Sequence, residues 1–319
     1  MANYGTLTVA DLVASRFATI KELGEGNVFA AIQASLNAHN GVVADMLSEL
    51  CETTKERIGT YGALQQGEMV DLDEMGKPDV QKVAAGIQVG WPLRKQGYAI
   101  QWTRTYMEIK TGAELAAQFD AAREADVRRI RRDIARAFFN PTNNLTYKDR
   151  LVDGMVLPIR AFLNADSTAV PIGPNGEQFD ASTHTHYIGT GSLVAANVSA
   201  LIETVLEHDP NARLVLYINR AQEAAIRGMT ANFTAYTDPR IIQGSGVTRA
   251  NGSLDMGQLA NRAIGIFDAA EVWVKPWVPA SYMAVVNLSA TEKPLRIRTR
   301  TGTMEGPGAL TIAADHEHY

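Results

Sequence analysis

Apolar residues in this chain keep three rhythms. In ELAAQFDAAREADVRRIRRDIARAFF, residues 114–139, Ala116, Phe119, Val127, Ile130, Ile134 and Phe138 recur at three- to four-residue steps, with Ala122 or Arg123 filling the one long gap. That period predicts a single amphipathic helix over Gly112–Phe139, stopped at Asn140-Pro141 and about 42 Å long. Shorter stripes of the same period appear before residue 58. Thr8 is placed to cap VADLVASRF and Asn27 to cap VFAAIQASLNA. A break at Gly41 is expected before VVADMLSELC, where Val43, Met46, Leu47 and Leu50 share a side.

Strand rhythms fill much of the remainder. Glycines at 59, 62, 67, 76, 86, 90 and 97 punctuate a segment that predicts strand, turn and strand, with Met75-Gly76-Lys77-Pro78 as the turn. YAIQWTRTYMEI alternates and predicts a half-buried strand. Residues 150–190 look irregular and strand-rich, with PIGPNGEQFD a turn-bearing loop. The stretch 191–208 predicts a helix, RLVLYIN a buried strand and RAQEAAIRG a short helix closed by Gly228, which together mark an α/β layer. Residues 229–262 read as a long polar loop. AIGIFDAAEVWVKPWVPASYMAVVNL gives apolar strands broken by Pro276 and Pro279, and PLRIRTRTG a strictly alternating one.

Composition narrows the function classes. The 319 residues are 46% hydrophobic, enough for a sizeable core and more than one compact core usually needs. The long helix carries six arginines between Arg123 and Arg136, which suggests nucleic acid. They interleave with Glu124, Asp126 and Asp133, however, and the whole chain is at −5, so a general polyanion binder is not expected. Cys51 is the one cysteine, expected as a buried small hydrophobe in a helix; it excludes a disulfide framework within the chain. No apolar run approaches the ~20 residues of a membrane span. The start, MANYGTLTVADL, lacks the basic-then-apolar pattern of a secretory leader.

Little in the sequence asks for catalysis. GTGSLVAA, residues 189–196, opens a helix, but Val194 replaces the third glycine of a dinucleotide loop and no acidic partner follows on a strand. Asp71 and Asp73 sit in the ribbon with no pocket around them. THTHY puts His184 and His186 on one strand face, and DHEHY adds His316 and His318. Two histidines at i,i+2 can ligate a metal, but the sequence assigns no third ligand. No catalytic, cofactor or metal site is therefore expected.

Taken in order, the elements resemble the major capsid protein of tailed bacteriophages, the Hong Kong 97-like α+β fold shared with encapsulins. The carriers are the EMVDLDEMGKPDVQKVAAGIQV ribbon leading through WTRTYMEI into the 112–139 helix, and the closing IGIFDAAEVWVKPWVPASYMAVVNL. The resemblance implies an N-terminal arm over 1–58, an E-loop ribbon over 59–110 and a P-domain with its spine helix over 111–155. It further implies an A-domain over 156–265, returning P-domain strands over 266–302 and a C-terminal segment over 303–319. It implies a structural protein that assembles with itself into hexamers and pentamers of an icosahedral virion shell around double-stranded DNA, built in the host bacterial cytoplasm. DNA would be contacted non-specifically on the inner face. Scaffolding, portal and decoration proteins are possible partners. The expected inter-subunit contacts are Asp71, Asp73, Glu74 and Lys77 in the ribbon, Arg128 and Arg132 on the spine, and Arg296, Arg298 and Arg300 on one face of PLRIRTRTG. Those three arginines in register need something acidic opposite them; DNA is one candidate, and carboxylates of a neighbouring subunit, such as those of its ribbon, are the favoured one. An encapsulin-type compartment and a soluble α/β enzyme built on 189–228 are the competing readings.

Overall fold

A computed structural model describes residues 7–61, 69–78, 86–94, 96–100, 102–236 and 261–299. Two short helices open it, α1 (Val9–Ala14) and α2 (Ile20–Leu23). Each starts from a threonine, Thr8 or Thr19, in a reciprocal capping box with an acid three residues on. Gly24, at φ +84, then turns the chain into α3 (Glu25–Leu50). Here the sequence misleads twice. Asn27 is inside the helix rather than at its cap, and α3 runs straight through Gly41. An interior glycine costs only about 1 kcal/mol. The buried stripe Val28, Ile32, Leu36, Val43, Leu47 and Leu50 continues across it and holds the two halves in one helix.

The N-terminal helices are no free arm in the described residues. Leu12, Ile20, Val28 and Ile32 form one core with Met107 and Leu115. Gly112 sits where a Cβ would come within 3.0–3.2 Å of the Leu23 and Leu12 side chains, so these leucines pack directly on the backbone at the start of the long helix.

β1 (Cys51–Thr54) follows, then β2 (Ile58–Tyr61), which pairs antiparallel with β3 (Ile87–Gly90) as the base of the ribbon. The expected turn is present. The Gly76 N–H donates to the Asp73 carbonyl, and the Asp73 carboxylate accepts from the Met75 and Lys77 N–H groups at 2.9 and 2.7 Å. The strand expected over 98–109 is replaced by α4 (Arg104–Ile109). Thr103 caps it by accepting from the Tyr106 N–H, a local start signal that outweighs the alternation before it.

α5 spans Gly112–Phe139, the limits expected from the sequence. A Thr111/Glu114 capping box fixes its start. Its buried stripe runs Leu115, Ala116, Ala122, Asp126, Ile130, Ile134 and Phe138. The gap in the apolar pattern is thus bridged by Ala122 and by a buried acid. Asp126 accepts from His39 of α3 at 3.2 Å and pairs with Arg129 at 3.3 Å.

β4 (Asn144–Lys148) and β5 (Val156–Ile159) form an antiparallel pair, and residues 160–194 then run without helix or strand. The α/β layer comprises α6 (Ala195–Leu206), β6 (Leu214–Ile218), a 3-10 turn at Arg220–Gln222, α7 (Glu223–Gly228), β7 (Phe233–Ala235), β8 (Arg262–Phe267), β9 (Ala270–Val274) and β10 (Met283–Asn287). The five strands make one sheet in the order β10-β6-β9-β8-β7, with β6 and β9 parallel and the other pairs antiparallel. All five β6 residues are buried. Val215 and Tyr217 pack with α3 and α5 on one side, while Leu214, Leu216 and Ile218 pack with α6 and α7 on the other. Strands β8–β10 share this sheet with β6, so the expected boundary at 265/266, with separate returning strands, is not a structural division. Much of the polar loop expected at 229–262 lies outside the described residues.

β11 (Leu295–Arg298) closes the described chain. It pairs parallel with β1, putting Arg296 beside Glu52 and Arg298 beside Thr54.

Candidate assembly surfaces and a histidine cluster

The alternation expected in PLRIRTRTG holds. Leu295 and Ile297 pack against the core beneath the spine, and Arg296 and Arg298 point the other way. Their acids come from the same chain. Arg296 meets Glu52 at 3.1 Å and Glu292 at 3.3 Å, and its guanidinium lies 5.0 Å above the Tyr61 ring and 5.6 Å from that of Trp91. Arg298 donates to the Trp91 carbonyl and to Asp149, each at 3.2 Å. Arg57 reaches Asp149 at 3.4 Å and grips Asp153 with both η nitrogens. That grip holds the Asp153 carboxyl well below the usual carboxylate range. Asp149 is fully buried under the two guanidiniums. The four arms of this clasp come from the β1–β2 link, the β4–β5 turn, Trp91 just after β3, and β11. It therefore locks the ribbon base to the body. The expectation that Arg296 and Arg298 await a neighbour's acids is corrected, because 244 residues along the chain Glu52 already faces Arg296. Arg300 lies outside the described residues.

The ribbon tip is different. Residues 69–78 are exposed throughout, including Asp71, Glu74 and Lys77, while the Asp73 side chain is occupied by its own turn. Among them Met69, Leu72 and Met75 present large apolar side chains to solvent, with Met69 and Met75 over 90% exposed. On the spine, Arg128 and Arg132 are exposed, and Arg128 pairs with Glu124 at 3.2 Å, a helix-surface contact of small energy.

The sequence left His184 and His186 without a third ligand, and the structure supplies His208. The backbone at 184–186 lies antiparallel to 163–165: the Ala165 N–H donates to the His184 carbonyl, and the His186 N–H to Leu163, both at 2.8 Å. This extended pairing turns both imidazoles to one side. His208 follows the last turn of α6, where Asp209 is pinned by Asn287 of β10 at 2.8 Å. The three Nε2 atoms lie 3.1, 3.1 and 3.2 Å apart. Glu207 brings Oε1 to 3.9 Å from His184 and 3.7 Å from His208. The Phe179 ring stacks near His184 and His208, with centroids 4.6 and 4.7 Å away. Burial first, then the neighbouring His208 and His184, push His186 down to about 4. His208 is also lowered, again chiefly by burial. The sequence signal was the H-x-H pair alone; nothing local links it to a histidine 22 residues on. His316 and His318 lie outside the described residues.

No protein-family model matches this sequence, and neither does any curated protein. The fold does have a match. A solved chain from Mycobacterium phage Patience aligns with a TM-score of 0.59 over 94% of this chain and 82% of that one, at 18% identity. This chain shares its α+β fold with a phage protein. The likeness spans nearly the full length rather than a common sheet or helix pair. Among the described residues, no helix is long and apolar enough to cross a membrane.

Proposed function

We propose that the chain is the major capsid protein of a tailed phage, self-assembling into an icosahedral shell around double-stranded DNA. The observation that carries this reading is the near-complete fold likeness to a phage protein. The ribbon tip supports it in physical terms. Met69, Leu72 and Met75 gain nothing by facing water, and apolar residues held out on a structured turn suit a surface that another copy covers. A helical spine backed by a sheet gives a rigid body. Head-to-tail contacts that close by rotation then generate hexamers and pentamers. The reading assigns the chain no catalytic step.

Negative-stain imaging of the purified chain, alone and co-expressed with the virion genes beside its own, tests the proposal. Closed shells are the expected outcome. Met69→Ser with Leu72→Ser and Met75→Ser should leave a folded subunit that no longer assembles, since these side chains support no part of its core. A chain that stays a single subunit under every condition overturns the reading. Shells that never contain DNA, even with the packaging genes present, point to a cellular compartment instead.

A further inference from the structure

We propose that His184, His186 and His208 form a zinc site, with Glu207 as the fourth ligand, that staples the irregular 160–187 segment to the end of α6. A tetrahedral Zn²⁺ with bonds of about 2.0–2.1 Å places its nitrogens about 3.3 Å apart. The three Nε2 atoms form a triangle of 3.1–3.2 Å edges, close to that span.

Hydrogen bonding among the rings does not account for the triangle. Each Nε2 has one in-plane valence, either a lone pair or an N–H. Three such atoms meeting at one point can satisfy at most one donor–acceptor pair, leaving the third nitrogen facing a like partner. Protonating the rings makes matters worse, because it sets cations side by side. A divalent cation at the centre satisfies all three lone pairs together. Nitrogen-rich coordination with one carboxylate suits a borderline-soft ion such as Zn²⁺ better than Ca²⁺ or Mg²⁺, which take oxygen.

The site also has a structural task. Residues 160–194 carry no helix or strand, and a run of that length inside a packed body needs an anchor. The segment meets the end of the spine near both its ends: Phe162 packs on Phe138 with centroids 5.5 Å apart, and the Tyr187 hydroxyl donates to the Asn140 carbonyl. The histidines join the same segment to α6, on the opposite face of the sheet, at its β10 edge. A metal there ties the two faces together. The assignment does not depend on shell assembly, because one subunit supplies every ligand.

The test uses the full chain, stripped with chelator and titrated with Zn²⁺ and with Co²⁺ as a spectroscopic stand-in. One equivalent per chain is expected, with the strong visible bands of tetrahedral Co²⁺. His208→Ala should weaken binding at least tenfold, and His184→Ala with His186→Ala should abolish it. Glu207→Gln should keep the metal but shift the Co²⁺ spectrum; an unchanged spectrum removes Glu207 from the site. His316→Ala with His318→Ala should retain the full equivalent. The proposal is overturned if the folded wild-type chain takes up no stoichiometric metal. It is equally overturned if the tail variant loses the metal while the double variant at 184 and 186 keeps it. Circular dichroism on each variant separates lost ligands from lost fold.

Discussion

Ile134 is the position at which the spine's packing is best measured. It is 4% exposed, in a core cluster with Val43 and Leu47 of α3, Val215 and Tyr217 of β6, and Trp277. Ile134→Ala removes three carbons. At about 0.8 kcal/mol per buried methylene, transfer alone accounts for about 2.4 kcal/mol. The walls of the vacated space belong to a long helix and a sheet strand buried on both faces, which have little freedom to close in. A residual cavity, at about 24 cal/mol per Å³, adds between about 1 and 2 kcal/mol. The expected loss is therefore about 4 kcal/mol, with Ile134→Val costing about 1 kcal/mol. Urea unfolding of the chain, followed by tryptophan fluorescence, reads this loss; Trp277 lies in the same cluster, 5.1 Å from Phe138. With a slope of about 2–3 kcal/mol/M, the midpoint should fall by more than about 1 M. Arg132→Ala, on the exposed face two residues away, should leave the midpoint unmoved. An Ile134→Ala subunit within about 1 kcal/mol of wild type would mean that the apolar stripe does not face the sheet.

Three further outcomes follow from the clasp, the thiol and the cluster. Asp149→Asn removes the charge shared by Arg57 and Arg298, so amide exchange should accelerate in β2, β3 and β11 while α5 stays protected; uniform exchange across all four would refute the clasp. Burial raises the Cys51 thiol to about 12, so native protein should resist thiol reagents at pH 8 and react only on unfolding; reaction at the rate of a free thiol would show the site to be open. If zinc is bound at a hundredfold excess over its dissociation constant, it stabilises the subunit by about 2.7 kcal/mol, and chelator should lower the melting midpoint by about 5 °C. No shift with a metal that is demonstrably bound would mean that the site forms equally well in the unfolded chain.

What could be read from the sequence divides by range. The spine was legible because a 3.6 period and an Asn-Pro stop lie within one stretch. β6 was legible because a strand buried on both faces leaves an unbroken apolar run. Gly41 misled because a local break signal of about 1 kcal/mol competes with a stripe whose partners lie on α5, more than 80 residues away. The strand expected over 98–109 failed because alternation there is a short pattern and Thr103 a stronger signal. The acids facing Arg296 and Arg298, and the third histidine, depend on contacts that no window of sequence contains. The alternation rule could say that the arginines share a face, but not that Glu52 and Asp149 were already there.

The parallel pairing of β1 with β11 makes an early strand wait for a late one. Cys51–Thr54 leaves the ribosome long before Leu295–Arg298 exists, so the early strand spends most of translation with a bare edge. Until residue 298 has been made, Glu52 has no Arg296 and Asp149 has no Arg298, and the ribbon base is held by Arg57 and by the packing of Gly90 on Leu157 of β5. A chain cut short of residue 298 therefore lacks the Glu52–Arg296 and Asp149–Arg298 contacts beside the base of β2 and β3. Pairings this distant in sequence form late and slowly. In this fold that delay means that the β1 edge and the base of the ribbon reach their final geometry only after residue 298 has been made.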